Sequence, residues 1–589
     1  MCGIIAYSGK SPAAEKLYRG LKRLEYRGYD SAGISTLSEG CIFTAKHGGR
    51  VERLRADLGA LSGCTGIGHT RWATHGRATD ANAHPHLCGR FSIVHNGIIR
   101  NCEQLKKELK GLGRTFFSQT DSEVIAHLLD MYYCGDMLQA MSHTVSRLKG
   151  LWAVAALCVD FNGFIVARRS SPVVLGEGDD GFYAASDVYA IVGCAHSCCV
   201  LEDGDIAVVT PEGMRVYDSL LNPVARAFEP VPAECAGGDM EGCPHYMLKE
   251  IRQNAAAITD TCDGFFRCEG ADGLFKKLAR ADKIVLTGCG TAYNASLAGA
   301  RLLGWAYDCP VSAHIAGEYC SDPPRLTTRS VCIAVTQSGE TADTLAAASI
   351  ARGCGAYLIA VTNCPRSAVT RLADFVVPVC AGPEVCVAAT KSYIGQLACF
   401  HLLAAGECAM RRAGQLQSVA AKVKKLAFDG TYARVIASLC ASSRAVFFLG
   451  RGGDVDVAVE GSLKLKEVSY IFSAGYPAGE LKHGTLALVD ESVLSIVLMC
   501  DQCLVSKCES AVEQILSRGG KVAVITTLPS AYASVSPRVQ AAWLLPQICA
   551  HLSHFISSTA LQLVAYHTAL LVGRDPDKPR NLAKSVTVE

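Results

Sequence analysis

Val331-Cys332-Ile333-Ala334-Val335-Thr336-Gln337-Ser338-Gly339-Glu340-Thr341 reads as a buried strand that runs into a polar, glycine-bearing loop. An unbroken apolar run without alternation suits a parallel strand covered on both faces. The helical stretch Ala342–Ala351 follows, so the segment is a strand–loop–helix unit. Upstream, Ile284–Leu286 leads into Gly288-Cys289-Gly290-Thr291; downstream come Tyr357–Val361 and Phe375–Val379. This rhythm predicts a doubly wound parallel sheet. It then repeats. Ala445–Leu449 leads into Gly450-Arg451-Gly452-Gly453, followed by Val493–Leu498, Val522–Thr526 and Ala541–Leu545. Gly288 and Gly290 match Gly450 and Gly452 at a constant offset of 162 residues, which predicts a duplicated domain. The copies differ after the second strand, where the later one carries Cys500-Asp501-Gln502-Cys503.

The first part of the chain has another pattern. Short β-type runs (Ile4–Tyr7, Ser92–His95, Ala153–Val159, Phe164–Ala167, Ile206–Val209) alternate with helical stretches Pro12–Tyr26, Glu103–Lys110 and Asp121–Tyr133. That predicts a sheet-layered α+β domain. From Leu220 to Cys243 the prolines and Gly237-Gly238 have linker composition. The chain has 589 residues, too many for one core, and its net charge of +2 marks no nucleic-acid or membrane-surface partner. No signal-like N-terminus and no apolar run of about 18 residues appears, so a cytoplasmic protein is expected. Leu397–Met410, which contains His401 and Glu407, reads as a buried core helix. The 29 cysteines are scattered along apolar runs and read as free thiols in a reducing compartment. Neither Cys500-Asp501-Gln502-Cys503 nor the group Cys194, His196, Cys198 and Cys199 has a partner set at zinc spacing, so no metal is expected.

Chemistry concentrates at the N-terminus. Removal of Met1 leaves Cys2 with a thiol and a free α-amine, a nucleophile and its base on one residue. The polar block His69-Thr70-Arg71-Trp72-Ala73-Thr74-His75-Gly76 follows, then His95-Asn96-Gly97, then Asp121. Singly, each has an ordinary reading: Arg71 as a surface charge, Asn96-Gly97 as a hairpin turn, Asp121 as a helix cap. Jointly they suit acyl transfer from an amide. Asn96 and the Gly97 N–H offer an oxyanion donor pair. Arg71 suits an α-carboxylate and Asp121 an α-ammonium. Free glutamine fits that set.

Met1-Cys2-Gly3-Ile4, Glu25-Tyr26-Arg27-Gly28-Tyr29-Asp30-Ser31, His69–Gly76 and His95-Asn96-Gly97 resemble the glutaminase domain of class II (N-terminal nucleophile) glutamine amidotransferases. Glu25–Ser31 narrows the resemblance to the glutamine–fructose-6-phosphate aminotransferases, and it extends to the tail Asn581–Glu589. It implies a four-layer glutaminase domain at 2–215, a linker at 216–245, sugar isomerase domains at 270–415 and 433–579, and a tail at 580–589 that completes the sugar site. It implies that Trp72, Thr74, His75 and Gly76 join Arg71 and Asp121 in the glutamine site, and that Trp72 gates ammonia passage. It also implies that no cofactor is needed.

In the isomerase half, hydroxyls and N–H groups of Ser338-Gly339-Glu340-Thr341 at a helix N-terminus suit a phosphate. The resemblance assigns sugar-phosphate contacts to Thr291, Thr336, Gln337, Ser338 and Thr341, with Val387 and Ala583 beside them. Ala292 and Ala389 stand where the family often has serine. Glu460, Lys464 and Glu467 share one helix face, an ion-pair stripe by pattern. The resemblance gives Glu467 a proton shuttle with Lys464 beside it, gives His483 ring opening, and gives Lys584 a Schiff base with the ketose. It further suggests a homodimer in which His483 serves the neighbouring chain. Two other readings stay open on the residues alone: a different class II amidotransferase, and a phosphosugar-binding sensor.

Overall fold

The computed structural model describes residues 2–73, 75–231, 240–365 and 367–585. It contains two compact units, Met1–Gly238 and Asp239–Lys584.

The first unit has four layers, helix on sheet on sheet on helix. An eight-stranded sheet has Gly3–Gly9 near its middle, between Gly181–Ala185 and Thr65–Arg71, both antiparallel to it. A seven-stranded sheet carries Phe91–Ile99 between Gly150–Cys158 and the edge strand His86–Cys88. Alternation in the first strand explains the layering. Ile5 and Tyr7 pack with Leu17 and Leu21 of the helix Ala13–Leu24. Ile4 and Ala6 point the other way, into the core between the sheets with Val94, Ala153 and Phe164. On the far face, Ile93, Val154 and Ile165 meet Ile125 and Leu129 of the helix Glu123–Tyr132. A strand buried on both faces must be apolar at every position, as Gly3–Gly9 nearly is.

Several boundaries differ from the sequence expectation. Within the expected linker at 216–245, Pro223–Val224 and Glu229–Pro230 are short strands that extend the two sheets. Proline is tolerated there because both are edge strands. Asn96 and Gly97 lie inside the strand Phe91–Ile99, not in a hairpin turn. The helix expected at Asp121–Tyr133 begins at Glu123, and Asp121 does not cap it. The helix Met137–Arg147 has no counterpart in the expectation. Its buried positions Met137, Ala140, Met141 and Thr144 keep helical spacing, but only two of them are large apolar residues.

The second unit holds two five-stranded parallel sheets of identical topology. The first runs Val311–Ile315, Ile284–Gly288, Val331–Thr336, Tyr357–Thr362, Phe375–Pro378. The second runs Phe472–Pro477, Ala445–Gly450, Val493–Met499, Lys521–Thr526, Ala541–Leu544. The outer strands Val311–Ile315 and Phe472–Pro477 escape the sequence pattern because both are incompletely buried and not uniformly apolar. In each sheet the chain moves first to one side of its first strand and then to the other. The crevice at that reversal is where such sheets bind ligands. In the first sheet it is flanked by Gly288-Cys289-Gly290 and by Gln337–Thr341. In the second, Asp454 accepts the Cys500 N–H at 2.8 Å, so the loop is closed by the protein's own carboxylate. Burial pushes the Asp454 pKa up to about 7. No disulfide joins any of the described cysteines. Among the described residues no helix is long and apolar enough to cross a membrane.

Candidate active sites

Cys2 precedes a central strand of the eight-stranded sheet, and its surroundings are fixed by the motif that follows. Arg27 Nε donates to the Cys2 carbonyl at 3.3 Å, while its Nη1 pairs with Asp187 at 2.9 Å. Tyr26 O–H donates to the same Asp187 oxygen at 2.6 Å. Glu25 accepts the Val51 N–H and Asp30 the Ala73 N–H, at 2.9 and 2.8 Å. The Glu25–Asp30 stretch is therefore a bracket that ties the N-terminus to the loop after Arg71. On the other side, the Ile4 N–H donates to Ser186 Oγ at 3.0 Å.

The Cys2 sulfur accepts the Trp72 N–H at 3.3 Å. Burial raises the thiol pKa, and the Trp72 hydrogen bond and Arg71 charge oppose that rise. Asp121 acts on the same sulfur with the opposite sign, so both charges lie within electrostatic reach of Cys2. Arg71 is not a surface charge: it is 3% exposed. Its guanidinium donates to the carbonyls of His75, Gly76 and Arg77 and so orders that loop. His75 is exposed and Gly76 half-buried; Thr74 lies outside the described residues. Trp72 stands edge-on to Tyr29, ring centres 6.0 Å apart. Asp121 is buried, and its Oδ2 accepts the Ile99 N–H at 2.8 Å.

Asn96 is oriented by a residue that the sequence reading quoted but gave no task. His69 Nε2 lies 2.9 Å from the His95 carbonyl and 3.1 Å from Asn96 Oδ1. Burial lowers the His69 pKa to about 3, so the ring is neutral at physiological pH. Facing two oxygens, Nε2 must carry the proton. Asn96 therefore turns its oxygen to His69 and its Nδ2 donor away. Gly97 has φ +125°, and a Cβ there would sit 2.0 Å from the Leu151 carbonyl oxygen. Only glycine fits that backbone. The only sequence signal for His69 was the density of polar residues in a stretch without period.

In the second unit the Glu460–Lys464–Glu467 stripe is not solvated. Lys464 and Glu460 side chains are 1% and 2% exposed. Lys464 Nζ lies 2.6 Å from Glu467, 3.5 Å from Glu460 and 2.9 Å from Thr291 Oγ1. Glu460 also accepts from Asn294 and Thr291, at 2.8 and 3.2 Å. Burial raises its pKa to about 7 despite Lys464. The helix Asp454–Ser469 of the second copy is thus joined to the helix Thr291–Ala306 of the first. Thr291 sits at the crevice and touches the acid–base cluster at once.

In the phosphate-type loop, Thr336 Oγ1 accepts the Gly339 N–H at 3.1 Å and lies 3.2 Å from Thr341 Oγ1. Ser338 Oγ accepts the Glu340 N–H at 3.2 Å, and the Gln337 carbonyl accepts the Asn363 N–H at 3.2 Å. Gly339 has φ +69°, and a Cβ would meet Ser367 Oγ at 1.9 Å. Lys584, no mobile surface lysine, pairs with buried Glu384 at 2.5 Å. Glu384 further accepts from the Thr390 and Ser392 N–H groups and the Ser392 hydroxyl. These donors and Lys584 outweigh burial and hold its pKa down to about 2. Val387 is buried, with its N–H on the Asp577 carbonyl, and Ala583 is half-buried. His483 is exposed and has no hydrogen bond to Lys464, Glu467 or Lys584.

Comparison with known proteins agrees with this architecture. A glutamine amidotransferase domain model matches residues 69–193, and a SIS domain model matches 277–406 and 439–572. The glutamine–fructose-6-phosphate aminotransferase [isomerizing] of Caldanaerobacter subterraneus subsp. tengcongensis is 39% identical over all of both chains. That of Thermus thermophilus is likewise 39% identical over all of both. The solved C-terminal domain of glucosamine-fructose-6-phosphate aminotransferase from Francisella tularensis is 30% identical, covers 58% of this chain and all of its own, and has a TM-score of 0.52. With its amidotransferase unit, its paired SIS domains and full-length relatives at this identity, the chain belongs to the glutamine–fructose-6-phosphate aminotransferase (isomerizing) family.

Proposed function

We propose that the chain hydrolyses glutamine at Cys2 and uses the ammonia to convert fructose 6-phosphate to glucosamine 6-phosphate. After Met1 is removed, the Cys2 α-amine takes the thiol proton and the sulfur attacks the side-chain amide. Asn96 Nδ2 and the Gly97 N–H receive the oxyanion. Ammonia leaves, and water releases glutamate from the thioester. Arg71 holds the α-carboxylate by exchanging neutral carbonyls for a charged, bidentate acceptor, which favours the exchange. Asp121 holds the α-ammonium, with Trp72, Thr74, His75 and Gly76 around them.

In the isomerase half, Thr336, Gln337, Ser338 and Thr341 bind the phosphate at the sheet crevice, with Thr291, Val387 and Ala583 beside the sugar. His483 assists ring opening, Lys584 forms a Schiff base at C2, and ammonia replaces it. Glu467, next to Lys464, moves the proton between C1 and C2. The exposure of His483 favours its serving a neighbouring chain in a homodimer. The SIS segments matched at 277–406 and 439–572 support sugar isomerase domains at 270–415 and 433–579, and the strand Glu229–Pro230 supports extending the first unit.

The observation that carries this reading is the convergence on Cys2: a backbone donor at the sulfur, Arg71 and Asp121 in reach, and Asn96 turned by His69. The test is incubation with glutamine and fructose 6-phosphate, with mass detection of glutamate and amino sugar. Cys2→Ala is expected to abolish glutamate release and to keep fructose 6-phosphate binding. Wild-type glutamate release by that variant would sink the reading.

A further inference from the structure

The glutaminase unit holds another cysteine in a reactive setting. Cys88 ends the edge strand His86–Cys88, half-exposed, beside the exposed turn residues Gly89 and Arg90. Its Sγ lies 3.0 Å from His127 Nδ1. His127 Nε2 faces Glu123 Oε1 at 3.7 Å, and the two side chains are 5% and 3% exposed. Glu123 is anchored by the Phe117 and Ser118 N–H groups at 2.8 and 2.7 Å. Arg114 Nη1 is 4.0 Å from the same sulfur and is itself held by Asp130 at 2.5 Å. The Phe116 ring covers His127 at 4.4 Å, with Lys110 over its other reach at 6.0 Å. A thiol, an imidazole and a carboxylate in line are the parts of an activated nucleophile. None of them is used at Cys2.

We propose that Cys88, His127 and Glu123 form a second reactive-thiol site, independent of Cys2, whose substrates are hydroperoxides. Burial disfavours the His127 cation, but the contact with Cys88 and the Glu123 carboxylate 3.7 Å away outweigh it and raise its pKa to about 9. Nearby His127 and the hydrogen bonds from the Phe117 and Ser118 N–H groups likewise outweigh burial at Glu123 and lower its pKa to about 2. At 3.0 Å the imidazole is placed to take the thiol proton as the sulfur attacks, and Arg114 faces the same sulfur at 4.0 Å. The thiolate attacks one oxygen of hydrogen peroxide. The S–O bond forms as the O–O bond breaks, and the departing oxygen takes the His127 Nδ1 proton and leaves as water. The sulfur loses two electrons to the peroxide and becomes a sulfenic acid, which external thiols reduce.

The test is timed alkylation of the full-length, reduced chain with limiting iodoacetamide, each cysteine mapped by mass spectrometry. Exposed Cys41 and Cys134 serve as standards in the same molecule. An ordinary thiol with a pKa of about 8.5 is only about 1% thiolate at pH 6.5. Cys88 is expected to react about tenfold faster than either standard there, since His127 takes its proton while an ion-paired thiolate is intrinsically less nucleophilic. Its rate is expected to stay flat from about pH 6 to 8, where the standards climb about tenfold per unit. His127→Gln is expected to bring Cys88 down to the standards' behaviour. After hydrogen peroxide, a dimedone-type trap is expected on Cys88. A Cys88 rate that climbs with pH like the standards, or that His127→Gln leaves unchanged, or an untrapped Cys88 after peroxide, overturns the proposal. The pH profile of the unmutated chain decides the matter even if His127→Gln fails to fold.

Discussion

Replacing Asn96 by alanine removes one oxyanion donor with little other damage. In the structure Asn96 Oδ1 is the second of two acceptors for His69 Nε2; the first, the His95 carbonyl at 2.9 Å, remains. No buried donor is orphaned, so the fold is expected to lose no more than about 1 kcal/mol. Catalysis is different. The Nδ2 donor acts mainly on charge that exists only in the tetrahedral state, and loss of one such donor costs about 2.7–4 kcal/mol. At about 1.36 kcal/mol per decade, kcat for glutamine hydrolysis should fall about 100- to 1,000-fold while KM changes less than about threefold. Asn96→Asp should fall further, because His69 still donates to the carboxylate while its other oxygen repels the oxyanion. The assay is steady-state glutamate release, with a thermal melt as the folding control. A kcat for Asn96→Ala within about threefold of the parent would remove Asn96 from the oxyanion site. A large rise in KM with unchanged kcat would reassign it to substrate binding.

Arg71→Lys should raise KM for glutamine about tenfold or more, since a bidentate charged contact is replaced by a point charge; an unchanged KM would separate Arg71 from the carboxylate. Gly339→Ala combines left-handed backbone strain of about 1–2 kcal/mol with a 1.9 Å clash at Ser367, so sugar-phosphate affinity should drop at least tenfold by calorimetry. Adding Ser367→Gly should recover part of it, because the backbone strain stays; full recovery would mean that φ is irrelevant there. Lys584→Met should stop amino-sugar formation and leave glutamate release, with the fold kept by the remaining donors to Glu384. Acid sensitivity has a definite sign. Glu384 is depressed to about 2, so its stabilisation is present above the unfolded carboxylate pKa of about 4.3 and disappears as pH falls towards 2. Glu250 is raised by burial to about 8, so its contribution is full below about 4.3 and disappears as pH rises towards 8. Urea melts across pH should therefore show Glu384→Gln flattening the acid limb and Glu250→Gln the limb from about 4.3 to 8; the reverse assignment would contradict the structure.

The duplicated parallel sheets were legible because their inner strands are largely apolar runs and the first strands of both copies lead into glycine-bearing loops. The outer strands were not, because partial burial relaxes the demand for apolar residues, and the helix Met137–Arg147 buries Ala140 and Thr144 beside only two large apolar residues. The linker composition misled at Pro223–Val224 and Glu229–Pro230, since proline also suits sheet edges. The chemistry of the glutaminase site was legible as residue types: Cys2, Arg71, Asn96, Gly97 and Asp121. The hairpin and cap alternatives for Asn96-Gly97 and Asp121 fell only when the strand and the Ile99 contact were seen.

Read alone, the amino-acid order determined that the chain folds as an α+β unit followed by a duplicated α/β unit, and which side chains carry the chemistry. Those properties are local: periodicity, loop composition and residue type are written in short stretches. Tertiary structure decided what those residues are to one another. It buried the Glu460–Lys464–Glu467 stripe instead of exposing it, turned Asn96 through His69, seated Lys584 on Glu384, and set Cys88 against His127. Each of these joins residues far apart in the chain or turns a helix face inward, and neither spacing nor composition records which face packs against what.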